Sequence, residues 1–285
     1  MPAIITDRFR IHNSEQFQEA FSESSGNAMY LGIGRPQAFA TSTRADGRTN
    51  NEGTDTAPVT PADNLNAQHF PFDDLLACKK IASSNVAFAI PRRNWVTGTT
   101  YDIYRHDYGE RITGTTTAQT ANSGVSNLHD ASFYVLTAAR NVYKCLDNDG
   151  NTASTVEPTH TSTPIQTLSD GYRWKYMYTL TASQQSNFLS TDFMAVSTDS
   201  TVSSAAVAGA IDVIKIKSAG SGGANGTHTN IDIRGDGTGG KCSVTVAGNI
   251  VTAVTVTTAG TGYTFGTVSN AQIVAAGATS LSGAE

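Results

Sequence analysis

Gly171-Tyr172-Arg173-Trp174-Lys175-Tyr176-Met177-Tyr178 is the stretch on which the fold turns. Its aromatic residues fall at every second position, so Tyr172, Trp174, Tyr176 and Tyr178 share one face of a β-strand, with Arg173 and Lys175 on the other. Each ring can bury about 150–250 Å², which at roughly 25 cal/mol per Å² gives an upper bound of about 4–6 kcal/mol apiece. Four such rings make this strand the anchor of a core. They read as a packing ladder rather than as a stacking platform for a ligand or nucleic acid.

Other short strands surround it. The apolar runs Phe133–Leu136 and Val142–Leu146 flank Ala138-Ala139-Arg140-Asn141, the pattern of a hairpin with a four- to five-residue connection. Ala28–Ile33 reads as a strand closed by Gly34-Arg35-Pro36. Val86, Phe88 and Ile90 alternate with alanines until Pro91, which has no N–H to donate, ends the ladder. Two helices are expected in the connecting loops. One lies near 14–23, where Asn13-Ser14-Glu15-Gln16 offers a capping box ahead of Phe17, Ala20 and Phe21. The other starts at Pro71, with Asp73-Asp74 at its positive end and Lys79-Lys80 at its negative end. The polar stretch 41–66 is expected to be a surface loop.

Composition bounds the function. The chain has 285 residues, 39% of them hydrophobic, enough for one large or two ordinary domains with real cores. A net charge of −5 argues against a phosphate-binding surface, and therefore against nucleic acid as a partner. There is no run of 18 or more apolar residues and no charged leader followed by an apolar segment, so neither a membrane span nor a secretion signal is expected. Cys78, Cys145 and Cys242 are an odd number without close spacing; they read as buried reduced thiols rather than a disulfide framework or zinc site.

After about residue 204 the composition changes to Gly, Ala, Thr and Val. Lys215-Ile216-Lys217-Ser218-Ala219-Gly220-Ser221-Gly222 recurs forty positions later as Thr255-Val256-Thr257-Thr258-Ala259-Gly260-Thr261-Gly262. Each copy reads as a β-branched strand running into a Gly-rich turn. Val244–Val251 reads as a hairpin around Gly248-Asn249. Residues 205–285 are thus expected to form a Gly-rich β-repeat subdomain, an insertion or appended module beside a first domain of residues 1–204.

No catalytic, cofactor or metal site is expected. Gly32-Ile33-Gly34 lacks the rest of a dinucleotide fingerprint. Asp147-Asn148-Asp149-Gly150-Asn151 begins like a calcium loop, but its twelfth position is Pro158 and it reads as a turn. The tripeptide Arg234-Gly235-Asp236 is accounted for by turn composition, with host-receptor binding as the sharper alternative. The six histidines are scattered and form no metal-binding pair. Arg92 and Arg93, just beyond Pro91, are the candidate interface residues, since planar guanidinium groups suit carboxylates on a partner. Pairing with acids of the same chain accounts for them equally well. Trp95 reads as a core plug beneath them.

Several segments in one order carry a resemblance: Ala3–Arg10, Met29–Arg35, Ala89–Trp95, Val142–Asp147, Thr155–Pro158 and Asp170–Leu180. Each match is short, but the collinear series over roughly the first 200 residues is hard to obtain by accident. In this the chain resembles the baseplate wedge subunit of T-even-type contractile-tailed phages, the product of their gene eight. The resemblance implies a non-enzymatic virion component made in the host cytoplasm, a homodimer of layered antiparallel β-sandwich architecture that assembles with other baseplate wedge proteins. It does not cover residues 205–285. The family also leads us to expect further sheet-forming segments beyond Glu285, hence a longer product.

Three function classes follow. The first is a structural subunit of the tail baseplate wedge, whose polar loops 41–66 and 112–130 are contact surfaces that order on assembly. The second is a carbohydrate- or receptor-binding tail module built on the repeat at 211–267. The third, a cell-wall hydrolase, requires paired carboxylates for which no spacing speaks.

Overall fold

The computed structural model of the chain describes residues 7–23, 28–34, 41–43, 49–51, 53–54, 56–58, 75–105, 108–109 and 118–285. Strands make up 33% and helices 15%, so the chain is mostly β, with four short helices and several small antiparallel sheets among the described residues. Two compact units divide between Phe88 and Ala89, inside the span expected as one domain of residues 1–204.

The first unit holds helix α1 (Asp7–Ala20) and strands β1 (Tyr30–Gly34), β2 (Thr41–Thr43), β3 (Thr49–Asn51), β4 (Gly53–Thr54), β5 (Ala57–Pro58) and β6 (Leu75–Lys80). Helix α1 starts seven residues before the expected helix. Ser14 is interior to it and its hydroxyl donates back to the Arg10 carbonyl at 2.9 Å, which is not a cap. The second expected helix is a strand: β6 pairs antiparallel with β1, Tyr30 opposite Lys80 and Leu31 opposite Lys79, and Ile81 N–H extends the ladder to Met29 O at 2.9 Å. Cross-strand pairing overrides the helix-like charge placement there. Pro71, Asp73 and Asp74 lie outside the described residues. Within the stretch expected as a loop, β2 pairs with β3 and β4 with β5; residues 59–66 lie outside the described residues. Among the described side chains of this unit none is buried.

The second unit opens with β7 (Ala89–Pro91), β8 (Tyr134–Leu136), β9 (Asn141–Asp147), β10 (Gln166–Thr167), β11 (Arg173–Thr179), α2 (Ala182–Phe188), β12 (Phe193–Ala195) and α3 (Ser200–Ala205). Val86 and Phe88 precede the strand expected to contain them; β7 is limited to the three residues that pair with β12, Pro91 opposite Phe193. The four-stranded sheet runs β10-β11-β9-β8. Its aromatic ladder is buried at all four positions, with Tyr172 and Trp174 fully inaccessible. These two rings stack at 5.6 Å, and Tyr101 meets Trp174 edge-on at 5.6 Å. Val135, Tyr143, Cys145 and Val202 complete this core. The β8–β9 hairpin closes through Thr137 N–H to Asn141 O at 2.9 Å, with Arg140 at φ 66°.

Helices beyond the two expected arise from caps. Thr181 and Gln184 form a capping box before α2, with Thr181 N–H donating to Gln184 Oε1 at 2.9 Å and Gln184 N–H to Thr181 Oγ1 at 3.2 Å. Asp199 Oδ1 accepts from Thr201 N–H and Val202 N–H at 2.9 and 3.0 Å, opening α3.

The remainder carries β13 (Ala219–Ser221), β14 (Gly226–Asp232), β15 (Arg234–Gly235), β16 (Lys241–Ala247), β17 (Ile250–Thr258), β18 (Gly266–Thr267), α4 (Asn270–Ala275) and β19 (Ser282–Ala284). The sheet β14-β16-β17 is flanked by the ribbons β13-β19 and β15-β18. Gly248 and Asn249, at φ 62° and 67°, make the expected tight hairpin. A second core forms here from Ile231, Cys242, Val244, Val246, Tyr263 and Ile273, with Ile211, Ile214 and Ile216 packed against it. The two cores draw on separate segments of chain. Of the first repeat copy only Ala219–Ser221 is a strand; Lys217 N–H and Ser218 N–H instead donate to the Glu285 carbonyl, both at 2.7 Å.

Candidate functional site

Arg92, Arg93 and Trp95 leave β7 on a turn that the chain itself grips from both sides. Arg92 N–H donates to Asp192 O at 2.7 Å; its side chain donates from Nη1 to Ser190 O at 2.8 Å and from Nε to Asn94 Oδ1 at 2.9 Å. Arg93 donates through Nη1 to Ser132 Oγ and through Nη2 to Asp130 O at 3.1 Å, and its guanidinium sits 5.3 Å above the Tyr134 ring. The arginines are half-buried, and their donors meet carbonyls, an amide and a hydroxyl of this chain rather than carboxylates. Arg93 Nε is buried without a partner.

Trp95 is half-buried and packs against the core that holds Tyr172, Trp174 and Tyr176. Its Nε1–H donates to Ser154 Oγ at 3.2 Å, and Ser154 donates on to Asp170 Oδ2 at 3.1 Å. Asp170 Oδ2 also accepts Thr155 N–H and Val156 N–H at 2.9 and 3.0 Å. Burial alone would raise its carboxyl; the hydrogen bonds from Val156, Thr155, Ser154 and Tyr172 outweigh that and hold it below the usual range. Tyr178 lies farther along the ladder, where its hydroxyl donates to Ala195 O at 3.0 Å and ties β11 to β12. The ladder residues therefore meet as core, and Trp95 joins them at the edge.

A residue that the sequence reading missed organises this region. Asp102 is completely buried and accepts Ser123 N–H at 2.9 Å, Ser123 Oγ–H at 2.7 Å and Ser132 N–H at 2.7 Å. Because Ser132 Oγ also receives Arg93, one carboxylate, one serine and one guanidinium link three loops. Residues 118–130, the larger part of an expected contact loop, are tied into the chain by these bonds and by a small core of Tyr108, Ala121 and Ala131. The remainder, 112–117, lies outside the described residues.

The calcium-like segment is a turn: Asn148 is buried and donates from Nδ2 to Tyr101 O at 2.9 Å, while Asp149 and Asn151 adopt positive φ. Among the described residues no group of three or more His, Cys, Asp and Glu could hold a metal ion. Cys145 and Cys242 are buried, and burial raises both thiols; Cys78 is exposed, contrary to expectation. No described helix is long and apolar enough to cross a membrane.

Within the first unit, Asn13, Ser14, Phe17 and Gln18 of α1 face Val86, Ala87 and Phe88 across a groove of about 420 Å³. Tyr30, Leu31 and Ile33 of β1 and Leu76 of β6 are all exposed. This concentration of apolar surface was not expected from the sequence. The arrangement offers apolar contact area. Compared with known protein families, with curated proteins and with solved structures, the chain finds a match in none of the three.

Proposed function

We propose that this protein is a structural subunit of a phage tail baseplate wedge, working through protein–protein interfaces in the virion rather than through chemistry. The observation that carries this reading is the state of the first unit. Among its described side chains none is buried, while Phe9, Ile11, Phe17, Leu31, Ile33 and Phe88 are each at least 39% exposed. Large apolar groups that stand in water among the described residues are suited to be covered on association. The collinear segments that resemble the wedge subunits support a baseplate wedge as the assembly in which this would happen. On this reading the partners are other wedge proteins and a second copy of the chain, and the small antiparallel sheets are layers of a β-sandwich. Arg92 and Arg93 then brace the interface from within, holding the turn in shape by their bonds to Ser190, Ser132 and Asp130.

The absolute mass of the purified chain in solution, alone and mixed with candidate wedge proteins, tests the proposal. A dimer that gains mass with those proteins is expected. A monomer that ignores all of them overturns it.

A further inference from the structure

We propose that the outward face of the β15–β18 ribbon is a binding site for a neutral glycan, with Phe265 as the platform for a sugar ring and Arg234 and Asp236 as its hydrogen-bonding partners. Ile231 and Ile233 are buried, so strand alternation turns Asp232, Arg234 and Asp236 to the opposite, exposed side. The register sets Arg234 against Thr267 and Gly235 against Gly266, which brings Phe265 beside Asp236. Phe265 is 59% exposed.

The ribbon is rigidly mounted. On its inward side Gly235 has no room for a side chain, since a Cβ there would run into the Phe265 carbonyl oxygen. Beneath it the Tyr263 hydroxyl donates to Ile233 O at 3.0 Å and accepts Gly240 N–H at 3.1 Å. At the tip, Asp236 Oδ1 accepts Thr264 N–H at 2.9 Å and Phe265 N–H at 3.2 Å, while Oδ2 accepts the Thr264 hydroxyl. An aromatic ring fixed through its own backbone binds with little ordering cost.

The chemistry selects the ligand. Asp232 is matched by Lys241 at 2.7 Å and also feels the Arg234 charge; with Asp236 the face carries two cations and two carboxylates, so it is neutral overall and favours neither a uronate nor a phosphate. The Arg234 guanidinium makes no hydrogen bond to the described residues, though Asp232 feels its charge, which leaves its planar fork of donors open to sugar oxygens. Asp236 accepts three hydrogen bonds from Thr264 and Phe265 and has its own backbone N–H as a further neighbour; its exposed edge faces solvent, where a sugar hydroxyl can approach. One ring flanked by two polar groups is the scale of one or two sugar units, well short of the roughly 1,200 Å² or more of a specific protein interface.

The test titrates the full chain with maltohexaose, cellohexaose, mannohexaose and chitohexaose, following saturation transfer by NMR. Binding of at least one is expected, weakened at least about tenfold, or about 1.4 kcal/mol, by Phe265→Ala, weakened by Arg234→Gln, and retained by Phe265→Trp. Phe265→Ala should leave the melting temperature unchanged, since its ring stands in water. Absence of binding to all four sugars at millimolar concentration overturns the proposal. So does sugar binding that Phe265→Ala leaves intact, or a Phe265→Ala effect confined to association with a protein.

Discussion

Gly220 and Gly260 stand forty positions apart and share one left-handed backbone conformation, at φ 66° and 65°. Their surroundings match as well. A Cβ on Gly220 would lie 2.7 Å from Ser282 O and 2.8 Å from Ala284 N; one on Gly260 would lie 2.6 Å from both Thr238 O and Gly240 N. Ser221 pairs with Ser282, and Thr261 bridges to Thr238. Each Gly-rich turn therefore closes on a short segment near the far end of the other half, the first on 282–284 and the second on 238–240. Gly260→Ala should destabilise the protein by more than the roughly 1–2 kcal/mol of left-handed strain alone, because the neighbouring backbone cannot yield. Gly262→Ala, at φ 74° but with open space around its Cβ, should show the strain alone. Urea unfolding of the two variants separates the effects, and equal losses would contradict the close-approach argument.

At the ladder, Tyr172→Phe removes a hydroxyl that donates to Thr152 O at 2.6 Å and accepts Tyr101 N–H at 3.2 Å. The second loss is the costly one, since it orphans a buried backbone donor. A destabilisation of about 1–3 kcal/mol is expected in equilibrium unfolding. Trp174→Ala at the same face should cost about 3–5 kcal/mol, as for a fully buried large aromatic.

Much of this ladder is legible in the sequence because strand periodicity is local: positions 172, 174, 176 and 178 declare their face without knowledge of anything distant. Leu75–Lys80 was not legible, because what decides it is the pairing with Tyr30–Gly34, more than forty residues earlier. Asp102 carried no signal at all, being a lone acid between Tyr101 and Ile103. Its partners Ser123 and Ser132 are defined only once the loops meet. The repeat at 215–222 and 255–262 could be seen as a repeat, but not the crossed closure of its turns. Arg92 and Arg93 could be found as exceptional residues, whereas the carbonyls that hold them could not.

Asp102→Ala should be among the most damaging single changes. It removes the acceptor that Ser123 N–H, Ser123 Oγ–H and Ser132 N–H share, and it releases the serine that receives Arg93. The half-buried Ser132 N–H is the donor whose loss of a partner costs about 1–3 kcal/mol, whereas Ser123 is exposed and its donors can turn to water. The expected readout is a lowered melting temperature together with new protease cleavage within 118–132. An unchanged cleavage pattern would show that the loops are held by other contacts.

Acid and alkali should act at different places. The Thr264 side chain and backbone hold Asp236 down at about 2, and hydrogen bonds hold Asp170 below the usual range. A depressed folded pKa contributes stability that is present above the unfolded value of about 3.9 and disappears as pH falls through the folded one. Stability should therefore decline from about pH 4 downward, with the Asp236 share gone only below about pH 2. Thr264→Val should flatten that decline. Burial pushes Tyr172 and Tyr178 up to about 12, so their contribution is intact below the unfolded value of about 10 and falls away as pH rises toward 12. Tyrosinate absorbance should show two groups that ionise only as the protein unfolds.

The apolar surface of the first unit yields the prediction that separates an assembly subunit from a protein with an unfinished core. Phe17 and Phe88 line the same groove and are 60% and 39% exposed, so Phe17, the more exposed, is the one whose exchange for serine removes little burial from the isolated chain. Surface substitutions of this kind change stability by no more than about 0.5 kcal/mol. If the groove receives a partner, the same exchange removes a buried aromatic from the complex and should weaken association by at least about 2 kcal/mol, the scale of an interface hot spot. A fluorescent dye that binds exposed apolar surface should stain the free chain and lose signal on assembly. Phe17→Ser with intact melting and weakened mass gain in the mixture is the expected pair of results. Loss of stability in the free chain would instead mean that the groove is closed within the protein and that association must use another face.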